Sequence, residues 1–256
     1  MTPWEMLAVF ATSIGAGALN TVVGSGTLIT FPLLLAIGLP PVTATVTNAL
    51  GLIPGSISGA VGYRRELRGQ SRRLRKLSVA ALLGGLGGAT LLLALPATAF
   101  EMIVPVLVGL ALVLVLLQPH LAKLLRHRRP EAPGTPPHHD GGRGLFAGLL
   151  LAGVYGGYFA AAQGIIYMSL MGLLLDETPQ RLNAAKNVLV AVVNAAAALV
   201  FLLVADYDWT AVALIATGSA LGGHLGAEAG RRFRPATLRF LIVAVGGVAL
   251  VHLLVR

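Results

Sequence analysis

The segment NTVVGSGTLITFP, residues 20–32, breaks the pattern of the sequence around it. From Trp4 to Leu39 the chain is almost wholly apolar, and Glu5 is the one charged residue of this run. The middle of the run nevertheless contains an asparagine, three threonines, a serine and two glycines. Because these residues are poor helix formers, the pattern predicts a helix that ends and restarts inside an apolar segment.

The composition is typical of a membrane protein. Of the 256 residues, 56% are hydrophobic and 11% are charged, and the mean hydropathy is +0.81. Soluble domains carry about 25% charged residues. Several runs of roughly 20 residues carry no charge, and this is the length that an α-helix needs to cross ~30 Å of hydrocarbon. We therefore expect an all-α polytopic membrane protein, with no removable signal peptide because no basic segment precedes the first apolar run.

The net charge of +9 is concentrated in two loops. Seven of the 19 lysines and arginines lie between Arg64 and Lys76, and five more lie between Lys123 and Arg143. Basic runs can bind nucleic acid, but short basic loops between membrane spans mark the cytoplasmic side of a membrane protein. We therefore expect these loops to lie at the lipid bilayer surface and to bind no nucleic acid.

The apolar runs form two similar halves. Spanning helices are predicted at 42–62, 77–95, 98–118, 182–204, 209–229 and 236–255, and interrupted apolar runs lie at 4–37 and 144–175. Short motifs recur at offsets of 135–139 residues: PAT at 96–98 and 235–237, TN at 47–48 against KN at 186–187, GSG at 24–26 against AQG at 162–164, and LGG at 86–88 and 221–223. Such recurrence indicates a duplication, with repeats at 1–118 and 144–256 and a basic linker at 119–143.

Equivalent loops of the two repeats carry opposite charge. Loop 63–76 has seven basic residues and one acid, whereas its counterpart 206–209 reads DYDW. The turn at 96–98 has no basic residue, whereas its counterpart 231–234 reads RRFR. The positive-inside rule then places equivalent loops on opposite sides, which predicts inverted repeats of the kind found in secondary transporters. Both termini are expected outside the cell (inner) membrane.

The two interrupted runs must each begin and end on one side of the membrane to satisfy this topology. Two passes in each run leave roughly 16 residues for a pass, fewer than the ~20 of a comfortable crossing. We expect two short helical hairpins that enter from opposite faces, each followed by three transmembrane helices. Two short tilted spans in each run are the alternative.

The odd segment is then the tip of the first hairpin. Irregular backbone at membrane depth is tolerated where protein buries it or water reaches it, and glycine permits the turn. The second arm is expected to begin at Gly26 or Thr27, and its first amides have no partner within the helix and carry the positive end of its dipole. Helix starts of this kind bind anions. The candidate substrate-binding residues are Asn20, Gly24, Ser25, Gly26, Thr27, Thr47, Asn48, Gln163, Gly164, Lys186 and Asn187.

Several of these residues also have a purely structural interpretation. The tip glycines, like those at 84–88 and 222–223, could serve close helix packing. Lys186 could face inward or extend to the cytoplasmic surface. His224 and Glu228 lie four residues apart and could carry protons, or Glu228 could pair with Arg231 and Arg232. Tyr155 and Tyr158 could line a cavity or fill the bundle. The HHD motif at 138–140 is not expected to bind metal, and no cofactor is expected.

The stretch from Gly15 to Arg65 resembles the first-repeat signature of the sulfite exporter TauE/SafE family. Its features are the glycine-rich turn, P-x-L-L at 32–35, G-x-P-P at 38–41, A-x-x-T-N at 44–48 and Tyr-Arg-Arg at 63–65. The second repeat fits more loosely at 153–164, 183–187 and 221–232. The resemblance implies export of sulfite or small organosulfonates, while Ser25 between two glycines and Gln163 in the second tip depart from the family pattern and leave the substrate open.

The sequence thus predicts a secondary transporter, not an enzyme, that moves a small anion by alternating access. An anion channel is the alternative within transport, and a membrane scaffold or assembly factor is the alternative outside it. A scaffold would have no need of polar residues at both tips. The anion, the coupling ion and the oligomeric state are not readable from the sequence.

Overall fold

The computed structural model describes residues 1–127 and 141–229, together with residues 240, 243–248 and 250–251. The first two ranges form helices joined by short turns and contain no strand. The helices are α1 (Pro3–Val22), α2 (Thr27–Ala36), α3 (Pro41–Gly51), α4 (Ile53–Gly62), α5 (Ser71–Ala94), α6 (Ala97–His127), α7 (Gly142–Tyr158), α8 (Gln163–Leu174), α9 (Pro179–Val204) and α10 (Trp209–Ala229).

Five helices of the described chain are long and apolar enough to cross a membrane: Pro3–Val22, Ser71–Ala94, Ala97–His120, Pro179–Val204 and Trp209–Glu228. Large apolar side chains cover their outer surface, and Leu203, Val106 and Leu151 are 84%, 69% and 68% exposed. A continuous apolar surface of this kind would be unfavourable in water and is favourable against lipid tails. The chain is therefore an all-helical, multi-pass membrane protein.

The two interrupted runs form helical hairpins with unequal arms. In the first hairpin, α1 has 20 residues and α2 has 10; in the second, α7 has 17 and α8 has 12. The expectation of about 16 residues in each arm is wrong. A helix of ten residues rises about 15 Å, roughly half of the hydrocarbon core. The second arm of each hairpin is therefore too short to cross, which favours re-entrant hairpins over paired short spans.

The first arm of each hairpin packs along a long helix that is distant in sequence. The first arm α1 packs along α10, and the first arm α7 packs along α5. Both contacts rest on glycine: a Cβ on Gly218 would lie 2.7 Å from the Phe10 carbonyl oxygen, and one on Gly84 would lie 2.8 Å from the Gly153 Cα. The packing role expected for the glycines of segments 84–88 and 222–223 is confirmed, because added side chains at Gly84, Gly88, Gly222 and Gly223 would meet backbone atoms.

The predicted helix at 42–62 is interrupted at Leu52, between α3 and α4. Pro54 lies at the start of α4 and has no N–H, so the carbonyl of Leu50 loses its partner four residues on. The helix predicted to end at 118 continues to His127 in α6 and extends into the predicted linker. The predicted span 236–255 lies largely outside the described residues, as do the motifs at 231–234, 235–237 and 138–140.

An ion-pair network joins the basic loop 63–76 to the turn before α9. The Glu177 carboxylate accepts from the Arg73 guanidinium at 2.6 Å and from Arg181 Nε at 2.6 Å. Partial burial acts to raise the pKa of Glu177, but hydrogen bonds from Arg181 and Arg73 and their positive charges lower it below the ordinary value of 4.5. The network places the loop and the turn on one side of the molecule, as predicted.

Candidate functional site

The first hairpin tip is built by one left-handed glycine. After α1 ends at Val22, Gly24 takes a φ of +87°, and α2 begins at Thr27, as predicted. Gly26 has a φ of −59°, so the positive φ expected of the turn lies at Gly24 and not at Gly26. Among the described residues, the amides of residues 25–27 have no hydrogen-bond partner, and the buried Ser25 Oγ has none either.

The second hairpin tip is built by two left-handed alanines. Ala160 and Ala162 have φ values of +64° and +57°, in a region that costs a residue with a Cβ about 1–2 kcal/mol. Tyr155 braces this turn by donating its hydroxyl to the Ala161 carbonyl at 2.7 Å. Gln163 starts α8 with its side chain buried against Gly156, and neither its Nε2 nor its Oε1 has a partner among the described residues.

The two tips touch through their backbones. The Gly164 amide donates to the Gly24 carbonyl at 3.1 Å, and a Cβ on Gly24 would lie 2.5 Å from the Gly164 Cα. Only glycine on both sides permits this approach. The Gly164 amide was expected to face an anion, but in this conformation it is already bonded to the other tip. The amides of residues 25–27 and of Gln163 are the helix-start donors that have no partner among the described residues.

Lys186 of α9 lies where the tips cross. Its side chain is fully buried, and its Nζ donates to the carbonyls of Asn20 at 2.8 Å and Thr21 at 2.9 Å. The alternative in which Lys186 extends to the cytoplasmic surface is therefore wrong. These carbonyls belong to the last turn of α1, which carries the negative end of the helix dipole. Within the described residues, no carboxylate lies within ion-pair distance of the ammonium.

The two predicted amides differ in their surroundings. Asn48 of α3 donates to Thr27 Oγ1 at 3.1 Å and accepts from the Thr30 hydroxyl, so it fastens α3 to the second arm of the first hairpin. Asn187 donates to the Thr21 carbonyl at 3.3 Å, next to Lys186, and its Oδ1 has no partner among the described residues. Asn48 therefore holds the first tip in place, while Asn187 keeps an unused polar atom at the crossing.

Of the remaining candidate residues, two form hydrogen bonds between helices and two lie on the outer surface. Asn20 donates its side-chain amide to Ser56 Oγ at 3.0 Å, and the Thr47 hydroxyl accepts from the Asp208 amide at the start of α10. His224 Nε2 and Glu228 Oε1 lie 3.5 Å apart, but their side chains are 64% and 72% exposed. The structure thus brings this pair together on the outer surface and does not bring it to the tips.

Sequence reasoning missed three residues that hold the site. Thr21 supplies the carbonyl shared by Lys186 and Asn187, Thr30 bonds to Asn48, and Ser56 receives the Asn20 amide. The signal for Thr30 was its position three residues after Thr27, since this spacing puts both hydroxyls on one face of α2. The role of Thr21 depends on its backbone oxygen and leaves no trace in the sequence.

The arrangement suits a binding site more than a catalytic one. It gathers a buried ammonium, free amides and unpartnered hydroxyl and carboxamide groups at the meeting point of two helix starts. Among the described residues, no group of three or more His, Asp or Glu side chains is placed to hold a metal ion.

Comparison with known proteins gives consistent results. The model of the family described as sulfite exporter TauE/SafE matches residues 9–253. The chain is 29% identical over 256 residues to the probable membrane transporter protein YfcA of Escherichia coli K12, covering 99% of this chain and 91% of that protein. It is 27% identical to a probable membrane transporter protein of Haemophilus influenzae, covering 88% and 85% of the two chains. No solved structure matches the chain.

Proposed function

Because this chain belongs to the sulfite exporter TauE/SafE family of membrane transporters, we propose that it is a secondary transporter that exports a small anion such as sulfite or an organosulfonate. The substrate binds where the two hairpin tips cross. It is reached from each side in turn, by alternating access. The protein resides in the cell inner membrane with both termini outside.

The observation that carries this proposal is the complete burial of the Lys186 side chain. Taking an ammonium out of water costs several kcal/mol even after the protein relaxes around it. Two carbonyls at the end of α1 offset part of this cost, but no carboxylate of the described chain completes the neutralisation. A bound anion supplies the missing charge, so the site favours anions over neutral or cationic solutes.

The groups around Lys186 fit an anion with several oxygens. Such an oxyanion accepts hydrogen bonds and therefore needs donors. The site offers the amides of residues 25–27, the Ser25 hydroxyl and the Gln163 carboxamide, all without partners among the described residues. Gly24 and Gly164 let the two tips meet, Gly26 lets the first tip pack on α1, and Asn20, Thr27, Thr47 and Asn48 hold the surrounding helices.

The packing supports an inverted pair of repeats, 1–118 and 144–256. Under the repeat alignment α1 corresponds to α7 and α5 to α10, and each first arm packs along the long helix of the other half. The charges of equivalent loops oppose each other. Two hairpins that enter from opposite faces and touch at one point give a site that either half can uncover by moving against the other.

Replacement of Lys186 tests the proposal. A hydrogen bond to a charged group contributes ~1.5–3 kcal/mol, so Lys186→Met should weaken anion binding by more than about tenfold. Lys76→Met, at an exposed lysine of the basic loop, is the matched control and should change affinity by less than about twofold. Binding is measured calorimetrically on the purified, folded protein with sulfite and a set of small sulfonates. An unaltered affinity in Lys186→Met would refute this site.

Ser25→Ala gives a second, milder test that folding defects do not obscure. The Ser25 Oγ has no partner in the described protein, so its removal should leave the unfolding free energy unchanged. If the hydroxyl binds the anion, affinity should fall about fivefold, the equivalent of one neutral hydrogen bond.

Saturable counter-flow of anion in liposomes would distinguish the transporter from a channel, and a scaffold would show no flux.

His224 and Glu228 are candidates for coupling export to protons. They pair with each other on the outer surface of α10, four residues apart. A His224→Gln, Glu228→Gln double variant should then bind the anion normally but lose the pH dependence of transport. Normal pH dependence in this variant would leave the pair as a surface ion pair.

A further inference from the structure

Two apolar grooves open on the outer surface, one on each side of α9. The first groove, of about 420 Å³, runs between α4 and α9 and is lined by Ile53, Ile57 and Val61 of α4. The second groove, of about 440 Å³, runs between α5 and α9 and is lined by Leu74 and Leu82 of α5. Val188 and Val192 of α9 line both grooves, so α9 forms the ridge between them.

Each groove has an arginine in its lining at the end near the basic loop. Arg64 lies one turn beyond Val61 in the first groove, and Arg75 lies next to Leu74 in the second. Both arginines are exposed, and neither forms an ion pair with a described residue. The Glu177 carboxylate on the same side of the molecule is occupied by Arg73 and Arg181.

This arrangement has the chemistry of an amphiphile with a negative head. Long apolar grooves in the membrane-facing surface accept acyl chains, and exposed arginines at the ends of such grooves attract phosphate. Basic pockets between transmembrane helices on the positively charged side of a membrane protein are sites for anionic lipid head groups. A zwitterionic head also carries a phosphate, but its own cation neutralises that charge, so an anionic head compensates the two arginines better.

We propose that the two grooves bind an anionic phospholipid, with its acyl chains on either side of the Val188–Val192 ridge and its phosphate between Arg64 and Arg75. The site is independent of the proposed transport function. It makes the occupancy of this surface sensitive to the anionic lipid content of the membrane, because the two arginines select the head group and the grooves accept any chain.

Lipid retention by purified protein tests this site. The full-length protein is equilibrated with mixed phosphatidylglycerol and phosphatidylcholine micelles at about 0.15 M salt, where long-range attraction is screened, and bound lipids are counted by native mass spectrometry. The protein should retain phosphatidylglycerol in preference to phosphatidylcholine. Arg64→Gln with Arg75→Gln should lower phosphatidylglycerol retention about fivefold for each arginine removed.

Matched variants separate the site from general surface charge. Arg65→Gln with Arg72→Gln removes the same charge from exposed positions that do not line the grooves, and should change retention by less than about twofold. Val192→Trp fills both grooves and should reduce retention of both lipids. Equal losses in the two arginine pairs would overturn the proposal, and so would unchanged retention in folded Val192→Trp. Conversion of a dimer to a monomer by Val192→Trp would assign the grooves to a second copy of this chain instead.

Discussion

Substitution of Gly164 by alanine tests whether the hairpin tips touch as described. A Cβ at this position would lie 3.0 Å from the Gly24 carbonyl oxygen, 3.0 Å from Lys186 Cδ and closer still to the Gly24 Cα. The lysine side chain can move aside, but the two backbone atoms of Gly24 cannot rotate away. The tips must therefore separate, and the bond from the Gly164 amide to the Gly24 carbonyl must lengthen.

The expected cost follows from these contacts. Overpacking of a tight contact costs about 1–3 kcal/mol, and a lost buried hydrogen bond adds about 1 kcal/mol. Alanine is favoured over glycine inside a helix by up to about 1 kcal/mol, which offsets part of this loss in α8. We expect Gly164→Ala to lower the free energy of unfolding by about 1–3 kcal/mol and, by displacing Lys186, to weaken anion binding as well.

Gly15→Ala is the matched control, since Gly15 lies in α1 and a Cβ there would meet nothing within 4 Å. It should be neutral or slightly stabilising. Both variants are compared with the parent by titration with SDS in mixed micelles, with helix content followed by circular dichroism. Equal stability of Gly164→Ala and Gly15→Ala would refute the tip contact. Gly24→Ala should be worse than Gly164→Ala, because Gly24 combines the contact with a φ of +87°.

Three further predictions concern the second tip, the ion-pair network and the topology. Ala160→Gly should stabilise the protein by about 1 kcal/mol because it relieves a left-handed alanine, whereas Ala161→Gly, at a position without positive φ, should destabilise it. SDS titration measures both variants. The opposite order of stability would show that Ala160 is not left-handed in the turn. The pKa of Glu177 is lowered by folding, so its contribution to stability is present above pH 4.5 and is lost as the pH falls through the pKa of the folded protein. Thermal unfolding between about pH 3 and 6 should show this loss in the parent and not in Glu177→Gln. The same fall in melting temperature with acid in both proteins would contradict the stabilising role of Glu177. Cysteines placed singly at Arg65 and Ala205 in this cysteine-free chain should react with impermeant reagents from opposite sides, and labelling from one side would exclude the inverted topology.

Local patterns predicted the parts of the fold that local forces determine. The break after Val22 and the helix start at Thr27 follow from glycine and hydroxyl residues within an apolar run. The left-handed Ala160 and Ala162 could not be read in the same way, because alanine is the best helix former and only tertiary contacts hold it there. The unequal arms of the first hairpin were readable, because Gly38, with a φ of +91°, and Pro40 end α2 ten residues after its start at Thr27.

The candidate site was predictable as a place but not as a set of contacts. Polar residues in apolar runs identified both tips, Asn48, Lys186 and Asn187. The partners of Lys186 are backbone carbonyls of α1, and any sequence would present a carbonyl at that position. The occupation of the Gly164 amide by Gly24 likewise joins two backbones from opposite halves of the chain.

The packing of α1 along α10 has a consequence for biosynthesis. Among the described helices α1 is made before all the others and packs along α10, which is made after them, and α7 packs back onto the earlier α5. Contacts between segments so far apart in sequence form late. The face of α1 that packs on the glycines of α10 must therefore wait in the bilayer, in contact with lipid or an insertion factor, until α10 arrives. Either half expressed alone would leave its first helix without its partner, whereas the two halves expressed together would assemble.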